Sequence, residues 1–275
     1  MPNLKICCLQ PRLQKTIEEC FKRVELLLEN IKNNNPNIIV LPEQWLPFAF
    51  SQDIAKYVFE EKAEPINFLQ GCAEKYQVCI VGGALWQFIN NEPKIVSNII
   101  APNGSIVGRQ EKLHLYAFER HYFVPGKELC LFQLGEINFA VLICFDISFF
   151  ETPSLAVKEG ADILISPTLI REDGMENWCI YLKARALENR VPVIACNALG
   201  EVMGSKYLGC SQIIQFYPGH TSPSKLKIKS IPANTETFLC DQVNYKFPRR
   251  MRKERLSERI EIGTLKITHT MILVK

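Results

Sequence analysis

The sequence has no apolar stretch of 18 or more residues, so it predicts no membrane-spanning helix. Its N-terminal segment also lacks the order of a signal peptide, in which a charged region precedes an apolar core and small residues. We therefore expect a cytoplasmic protein. The formal net charge is only +3 and the sequence pI is about 8.2, which is too mild a basic excess to indicate a nucleic-acid partner.

Motifs for metals and nucleotides are missing as well. The four histidines, at positions 114, 121, 220 and 269, form no HExxH pair, and none lies near a CxxC pair. The chain contains no GxxxxGK[ST] loop, no GxGxxG after a strand and no GxSxG turn. We therefore expect neither a metal site nor a bound cofactor.

Cysteine is the one reactive residue that is plentiful, with 11 in the chain. The number is odd, no CxxC pair occurs and most of the cysteines lie in apolar runs, so a secreted disulfide framework is not expected. The simplest interpretation of any one of them is a small apolar residue of the core.

Apolar periodicity predicts an alternation of strands and helices. Residues 13–31 have apolar side chains at helical spacing, whereas 37–41 (NIIVL) form a short apolar run typical of a strand buried on both faces. Strands are predicted over 4–9, 37–41, 77–86, 161–166, 192–197, 211–216 and 237–241, hairpins over 96–109 and 129–143, and helices over 13–31, 53–76, 178–190 and from Cys144 to about Gly160.

No Pro/Gly/Ser-rich linker and no fixed repeat divides the chain, so the alternation indicates a single α/β domain. The basic run at 249–259 (RRMRKERLSER) is interpreted as a solvated surface or disordered arm, with docking on a partner subunit as the alternative.

Three chemically complementary side chains follow three predicted strands. These are Glu43, Lys112 and Cys144. Sites in α/β folds gather beyond the carboxyl ends of strands, where a thiol at a strand-to-helix junction is expected to gain thiolate character from the helix N-terminus. A lysine would stabilise an oxyanion together with the Phe145 backbone N–H, and a glutamate would transfer the thiol proton. On spacing alone, these residues are explained equally well if Glu43 is a cap, Lys112 a surface lysine and Cys144 a residue of the core.

Three segments resemble the carbon–nitrogen hydrolase (nitrilase) superfamily: 39–45 (IVLPEQW), 107–116 (VGRQEKLHLY) and 141–151 (VLICFDISFFE). The resemblance implies that Glu43, Lys112 and Cys144 form a catalytic triad that needs no cofactor. It also implies a four-layer α-β-β-α sandwich over residues 1–245 and a homodimer or a higher homo-oligomer. Residues 246–275, beyond the resemblance, are interpreted as a C-terminal extension at a subunit interface.

The resemblance further implies a supporting role for Glu119, in 118–126 (FERHYFVPG), as a hydrogen-bond partner of Lys112 or of the substrate amine. Two positions depart from the family pattern: Ser148 stands where an arginine is usual, and Phe150 where a proline is usual. Candidate pocket residues are the nearby aromatic side chains Trp45, Phe48, Tyr116, Phe145 and Trp178.

The implied activity is hydrolysis of a non-peptide C–N bond in a small linear amide or N-carbamoyl compound, through a thioester at Cys144. Three alternatives stay open from the residues. The chain is a nitrile hydrolase with the same triad, a catalytically idle scaffold or binding protein, or an unrelated thiol enzyme that pairs Cys144 with His114.

Overall fold

The computed structural model of the chain describes residues 4–49, 54–60, 63–258, 260, 264–269 and 271. Its α-helices are α1 (Ile17–Ile31), α2 (Glu64–Tyr76), α3 (Glu151–Lys158), α4 (Met175–Asn189) and α5 (Lys246–Ser257). No helix among these residues is long and apolar enough to cross a membrane.

The strands alternate with these helices, and most of the predicted ones are confirmed. In chain order they are β1 (Leu4–Gln10), β2 (Ile38–Val40), β3 (Cys79–Val81), β4 (Leu85–Ile89), β5 (Glu92–Ile100), β6 (Ile106–Glu111), β7 (Leu131–Leu134), β8 (Ile137–Val141), β9 (Ile163–Thr168), β10 (Val193–Asn197), β11 (Leu199–Val202), β12 (Ser205–Leu208), β13 (Gln212–Thr221), β14 (Ser224–Ser230) and β15 (Thr237–Val243).

Two large sheets form the centre of the described part of the chain. One has the order β15-β1-β2-β3-β5-β4, with β6 also paired to β5, and the other has the order β14-β13-β10-β9-β8-β7. The middle of each sheet is parallel: β1, β2 and β3 run together in the first, and β8, β9 and β10 in the second. The carboxyl ends of neighbouring parallel strands therefore meet at one edge of each sheet.

Three apolar clusters show that the architecture is a four-layer α-β-β-α sandwich. The first cluster joins the facing sides of the two sheets, for example Val40 of β2 and Val141 of β8. The second packs α1 and α2 on the outer face of one sheet, and the third packs α3, α4 and α5 on the outer face of the other. Because the central strands are buried on both faces, they need the continuous apolar runs seen in the sequence.

Two predicted elements have different bounds. The helix expected over 53–76 is a short 3-10 turn (Ile54–Tyr57) followed by α2, which begins only at Glu64, while 53, 61 and 62 lie outside the described residues. The single strand expected over 77–86 is interrupted between β3 and β4. The interruption occurs at Gly83, which has a φ of +72° and where a Cβ would collide with the Pro42 carbonyl oxygen.

The basic C-terminal run is not an extended solvated arm in its described part, 249–258. It lies mostly in α5, whose apolar face buries Phe247 and Met251 against the second sheet, so these residues are not a disordered arm, whereas the exposure of most of the run agrees with a solvated surface. The guanidinium of Arg249 donates two hydrogen bonds to Asp162, at 2.7 and 2.6 Å. Residue 259 lies outside the described residues, and the division at 245 stays a prediction.

One pair of cysteines departs from the interpretation as core thiols. Cys7 and Cys240 are opposite each other on the antiparallel strands β1 and β15 and form a disulfide. The other cysteines are free thiols. A single bond between paired strands is not a disulfide framework, so the expectation that the chain has no secreted disulfide framework is unaffected.

Candidate active site

A cavity of about 400 Å³ opens where the parallel strands end. Glu43 enters it from the segment after β2, Cys144 from the segment after β8 and Leu169 from the segment after β9. The β11–β12 hairpin and the segment before α4 complete the wall. The three residues of the predicted triad, which are 69 and 32 positions apart in the chain, are gathered here by the sheet topology.

The Lys112 ammonium lies between two buried carboxylates. Its Nζ donates to Oε1 of Glu43 at 2.9 Å and to Oε1 of Glu119 at 2.8 Å, and the side chains of Lys112 and Glu43 are only 1% and 2% exposed. Burial disfavours the charged lysine, but the negative charges of Glu43 and Glu119 outweigh it and raise the pKa of Lys112 well above its usual value. Lys112 is therefore a permanent cation beside the cavity.

Glu43 is a buried carboxyl group next to the Cys144 thiol. Burial raises its pKa above 4.5, and the charge of Glu119 adds to the rise, while the Lys112 charge and a hydrogen bond with Cys144 oppose it. Its Oε2 has no other partner among the described nitrogen and oxygen donors. A carboxylate with a raised pKa is a stronger base than an ordinary surface glutamate.

Cys144 begins a five-residue 3-10 turn, Cys144–Ser148, and has the unusual φ of +48°. Burial and then the Glu43 charge raise the pKa of the thiol well above 9.0, although Lys112 and the Leu169 N–H act in the opposite direction. The expected thiolate at the N-terminus of a long helix is therefore wrong: α3 begins only at Glu151. The surroundings of Cys144 thus favour the protonated thiol over the thiolate.

Glu119 occupies the position that its predicted supporting role requires. One of its carboxylate oxygens accepts from Lys112, and the other accepts from the backbone N–H of Tyr116 at 2.7 Å. The second bond anchors Glu119 at the start of a 3-10 turn, Ala117–His121. Glu119 thus fixes the lysine from the side opposite Glu43.

The aromatic candidates divide into two groups. Four of them line the cavity: Phe48, Tyr116, Phe145 and Trp178. Trp45 does not, because it packs against rings of α1 and α2 and donates from Nε1 to the Gly82 carbonyl at 3.0 Å. The positive φ of Gln44, +47°, breaks the strand-like alternation that would place Trp45 and Glu43 on one face.

Asp146 has a positioning function that no pattern in the sequence predicted. Its buried carboxylate accepts hydrogen bonds from the backbone N–H groups of His114 at 2.7 Å and Ile143 at 3.0 Å. Asp146 thereby joins the segment after Lys112 to the residue before Cys144. An aspartate two residues after Cys144, inside the turn that Cys144 begins, is the signal from which this contact was predictable.

His114 does not line the cavity. Its Nδ1 contacts Asp146 at 3.0 Å, and its ring stacks on Phe149 with the ring centres 4.1 Å apart. The alternative in which His114 pairs with Cys144 has no contact to support it among the described residues.

Several other cavity residues are absent from the sequence-based candidates, among them Leu169, Arg171, Asp173 and Tyr207. Leu169 directly follows β9, so the rule that sites gather beyond strand ends was sufficient to find it. Tyr207 lies on β12, a strand that the apolar pattern did not reveal because only Tyr207 among its residues is buried.

Comparison with known proteins points to one family. The model of the carbon-nitrogen hydrolase family matches residues 5–218. A probable nitrilase of Schizosaccharomyces pombe is 29% identical over 219 residues, which are 76% of each chain. The 2-oxoglutaramate amidase of Bacillus subtilis is 28% identical over 198 residues, 71% of this chain and 76% of the relative.

Among solved structures, Saccharomyces cerevisiae Nit3, described as a member of branch 10 of the nitrilase superfamily, superposes with a TM-score of 0.81. The superposition covers 96% of this chain and 97% of Nit3 at 19% identity. The fold is therefore that of the nitrilase superfamily, as predicted.

Proposed function

We propose that this chain, which belongs to the carbon–nitrogen hydrolase family, hydrolyses the C–N bond of small linear amides with Cys144 as the nucleophile. The observation that carries the proposal is the contact of Lys112 with Glu43 and Glu119, at 2.9 and 2.8 Å, beside a buried thiol in a cavity. Two buried carboxylates, one ammonium and one thiol supply every proton transfer that amide hydrolysis requires.

In the first half of the reaction, Glu43 takes the proton of Cys144 while the sulfur attacks the amide carbon. The carbonyl electrons move to oxygen, and the Lys112 ammonium and the Phe145 backbone N–H stabilise the resulting oxyanion. Protonated Glu43 then donates its proton to the nitrogen, the C–N bond breaks and ammonia or an amine leaves. The acyl group remains on sulfur as a thioester.

In the second half, Glu43 removes a proton from water as that water attacks the thioester carbon. The tetrahedral oxyanion is stabilised by the same donors, and the carboxylic acid leaves as the thiol is restored. The raised pKa of Glu43, caused first by burial, makes it a stronger base than an ordinary glutamate, which suits this alternation between base and acid. None of these steps uses a cofactor.

Amide turnover is supported by the 2-oxoglutaramate amidase relative, while the probable nitrilase supports a nitrile as the second candidate substrate. N-carbamoyl compounds undergo the same two half-reactions. A panel of small amides, nitriles and N-carbamoyl compounds, scored for ammonia release, tests the three classes together. We expect turnover of the amides.

The control for this panel is a pair of cysteine variants. We expect Cys144→Ala to lower turnover by about 10³-fold or more with an unchanged circular dichroism spectrum. Cys130→Ala, which removes a half-buried free thiol outside the cavity, should retain activity. Full activity in Cys144→Ala would refute the mechanism.

The idle-scaffold alternative predicts a different result with iodoacetamide. In an enzyme, Glu43 assists the Cys144 thiol, so one cysteine should alkylate faster than the other free thiols and slow down in Glu43→Gln. Uniformly slow alkylation, with no turnover of any compound in the panel, would favour the scaffold.

We also propose that the chain forms a homodimer through the outer face of α3 and α4. These neighbouring helices expose Leu155 and Ile180 at 49% and 56%, together with Phe150 just before α3. Exposed apolar side chains on adjoining helices are typical of a subunit interface. Light scattering should give a dimer that Ile180→Glu dissociates and that Val107→Glu, an equally exposed site on β6, leaves intact.

A further inference from the structure

The wall of the cavity is mainly aromatic and aliphatic. Beyond the reacting groups, rings from five segments face the space, among them Phe48, Tyr116, Trp178 and Tyr207. A cavity of about 400 Å³ is far larger than an amide group alone requires. Most of its space is therefore available to the part of the substrate that does not react.

The charges around the cavity do not favour a substrate anion. Arg171 is the only arginine or lysine among the described lining residues. Its guanidinium is already bound to Asp173, with Nε to Oδ1 at 3.1 Å and Nη2 to Oδ2 at 2.9 Å. This two-bond geometry uses Nε and Nη2, one of the edges through which a guanidinium binds a carboxylate, so Asp173 competes with a substrate carboxylate for that edge, although both side chains are partly exposed, at 47% and 69%.

The carboxylates strengthen this bias. Glu43 and Glu119 also line the cavity, and the nearby Lys112 compensates for only one of them. A carboxylate on the substrate would lie close to the carboxyl groups of Glu43 and Glu119, and the arginine in the wall already has Asp173 as its partner.

The β11–β12 hairpin supplies an adjustable apolar side of the cavity. Its turn, with Met203 at φ +51° and Gly204 at φ +77°, brings Val202 and Met203 to the space that Tyr207 borders. Met203 is 66% exposed although it is apolar. A flexible thioether at the entrance adapts to apolar groups of different shape.

We propose that the site selects an uncharged amide with a bulky aromatic or branched aliphatic group, and that Asp173 excludes carboxylate-bearing amides by occupying Arg171. This inference rests on the proposed amide hydrolysis and names its substrate class. It separates this chain from the 2-oxoglutaramate amidase relative, whose named substrate bears a carboxylate. Asp173 and Met203 are specificity determinants in this scheme.

The test compares two amides of similar length, 3-phenylpropanamide and glutaramate, by kcat/KM of the purified full-length chain at neutral pH. We expect the aromatic amide to be preferred by at least about tenfold. Met203→Ala should reduce that preference by lowering kcat/KM for the aromatic amide. A preference for glutaramate, or for the cationic 4-aminobutanamide, would overturn the proposal.

The role of Asp173 is tested by the ratio of the two kcat/KM values. Asp173→Asn frees Arg171, so the ratio should shift towards glutaramate by about fivefold or more, and adding Arg171→Gln should reverse the shift. Glu258→Gln removes a carboxylate that pairs with Arg255 on the surface and should leave the ratio unchanged. An unchanged ratio in Asp173→Asn would refute the assigned role.

Binding to the Cys144→Ala protein separates a failure of this inference from a failure of the proposed function. If no amide is hydrolysed by the unmodified chain, the proposed function is wrong, but calorimetry with the same amides still measures the selectivity of the cavity. Tighter binding of 3-phenylpropanamide than of glutaramate supports the inference. Equal or reversed affinities overturn it.

Discussion

Replacing Lys112 with methionine removes the one cation that two buried carboxylates share. Methionine has similar length and fills much of the same space, so the change is mainly one of charge. In the variant, Glu43 and Glu119 lose hydrogen bonds of 2.9 and 2.8 Å while both stay in a part of the molecule with little access to water. The perturbation therefore isolates the electrostatic balance of the site.

The expected loss in free energy of unfolding is about 3–5 kcal/mol, the usual cost of removing one member of a buried ion pair. A domain of this kind is stable by roughly 5–15 kcal/mol, so the variant should fold but unfold at much lower denaturant concentration. Lys229→Met is the matched control. It breaks a 2.7 Å pair with Asp241, but Lys229 is 45% exposed, so the cost should stay below about 1 kcal/mol.

The loss should also depend on pH. Without Lys112, only the hydrogen bond with Cys144 still opposes the burial that raises the pKa of Glu43, so the pKa rises further and the folded state of the variant binds a proton more readily than the unfolded chain does. A carboxyl group whose pKa is raised by folding stabilises the folded state most at pH values below its pKa in the unfolded chain. That stabilisation is lost as the pH rises through its pKa in the folded state. The deficit relative to the parent chain should therefore be larger at pH 7.5 than at pH 5.5, by up to about 1.4 kcal/mol per pH unit.

Urea unfolding, followed by tryptophan fluorescence at these two pH values, measures both the loss of stability and its dependence on pH. Lys112→Met, Lys229→Met and the parent chain are compared under identical conditions. A deficit below about 1 kcal/mol for Lys112→Met, or one that does not change with pH, would refute the account of Lys112 as the shared counter-ion.

Three further predictions concern neighbouring residues. Glu119→Gln removes a charge that raises the pKa of Glu43, so the acid limb of the kcat/KM profile should move to lower pH, whereas an unmoved limb would contradict Glu43 as the base. Asp146→Asn should lower kcat by at least about tenfold and the free energy of unfolding by about 1–3 kcal/mol, because backbone donors next to the site lose a charged acceptor. Steady-state kinetics and urea unfolding measure the two effects. Met251→Ala should lower the free energy of unfolding in urea by about 2–4 kcal/mol, because Met251 is buried where α5 packs on the second sheet. A negligible loss would show that α5 does not contribute to the core.

The alternation of strands and helices, and the position of polar residues at strand ends, could be predicted from the apolar pattern, whereas the four-layer sandwich and the triad were implied by the resemblance to the family. Continuous apolar runs identify strands buried on both faces, and polar residues directly after such runs lie at the sheet edge. Glu43 and Cys144 follow two central strands, and Lys112 follows β6, next to them in space. The matching motifs added the roles that the spacing alone left open.

Local backbone geometry was beyond the reach of the same reasoning. A single residue with positive φ, Gln44, directs Trp45 away from the cavity, and a positive φ at Cys144 begins a 3-10 turn where a continuous helix was expected. Glutamine and cysteine seldom adopt such angles, so composition gives no warning of them. The helix α5 was missed for a different reason: its many basic residues conceal the spacing of Phe247 and Met251, which sets its buried face.

The direction of the Cys144 pKa changes how the chemistry has to be understood. A helix N-terminus alone would favour a preformed thiolate, whereas burial and the adjacent Glu43 keep the sulfur protonated. In the proposed mechanism, proton removal is then coupled to attack, so the nucleophile is generated only when an electrophilic carbon is present and Lys112 can balance the new negative charge. The same arrangement protects a buried thiol from unspecific oxidation, since the thiolate is the reactive form. A high thiol pKa is thus compatible with an efficient nucleophile, provided that the base and the ammonium stay within hydrogen-bonding distance of each other.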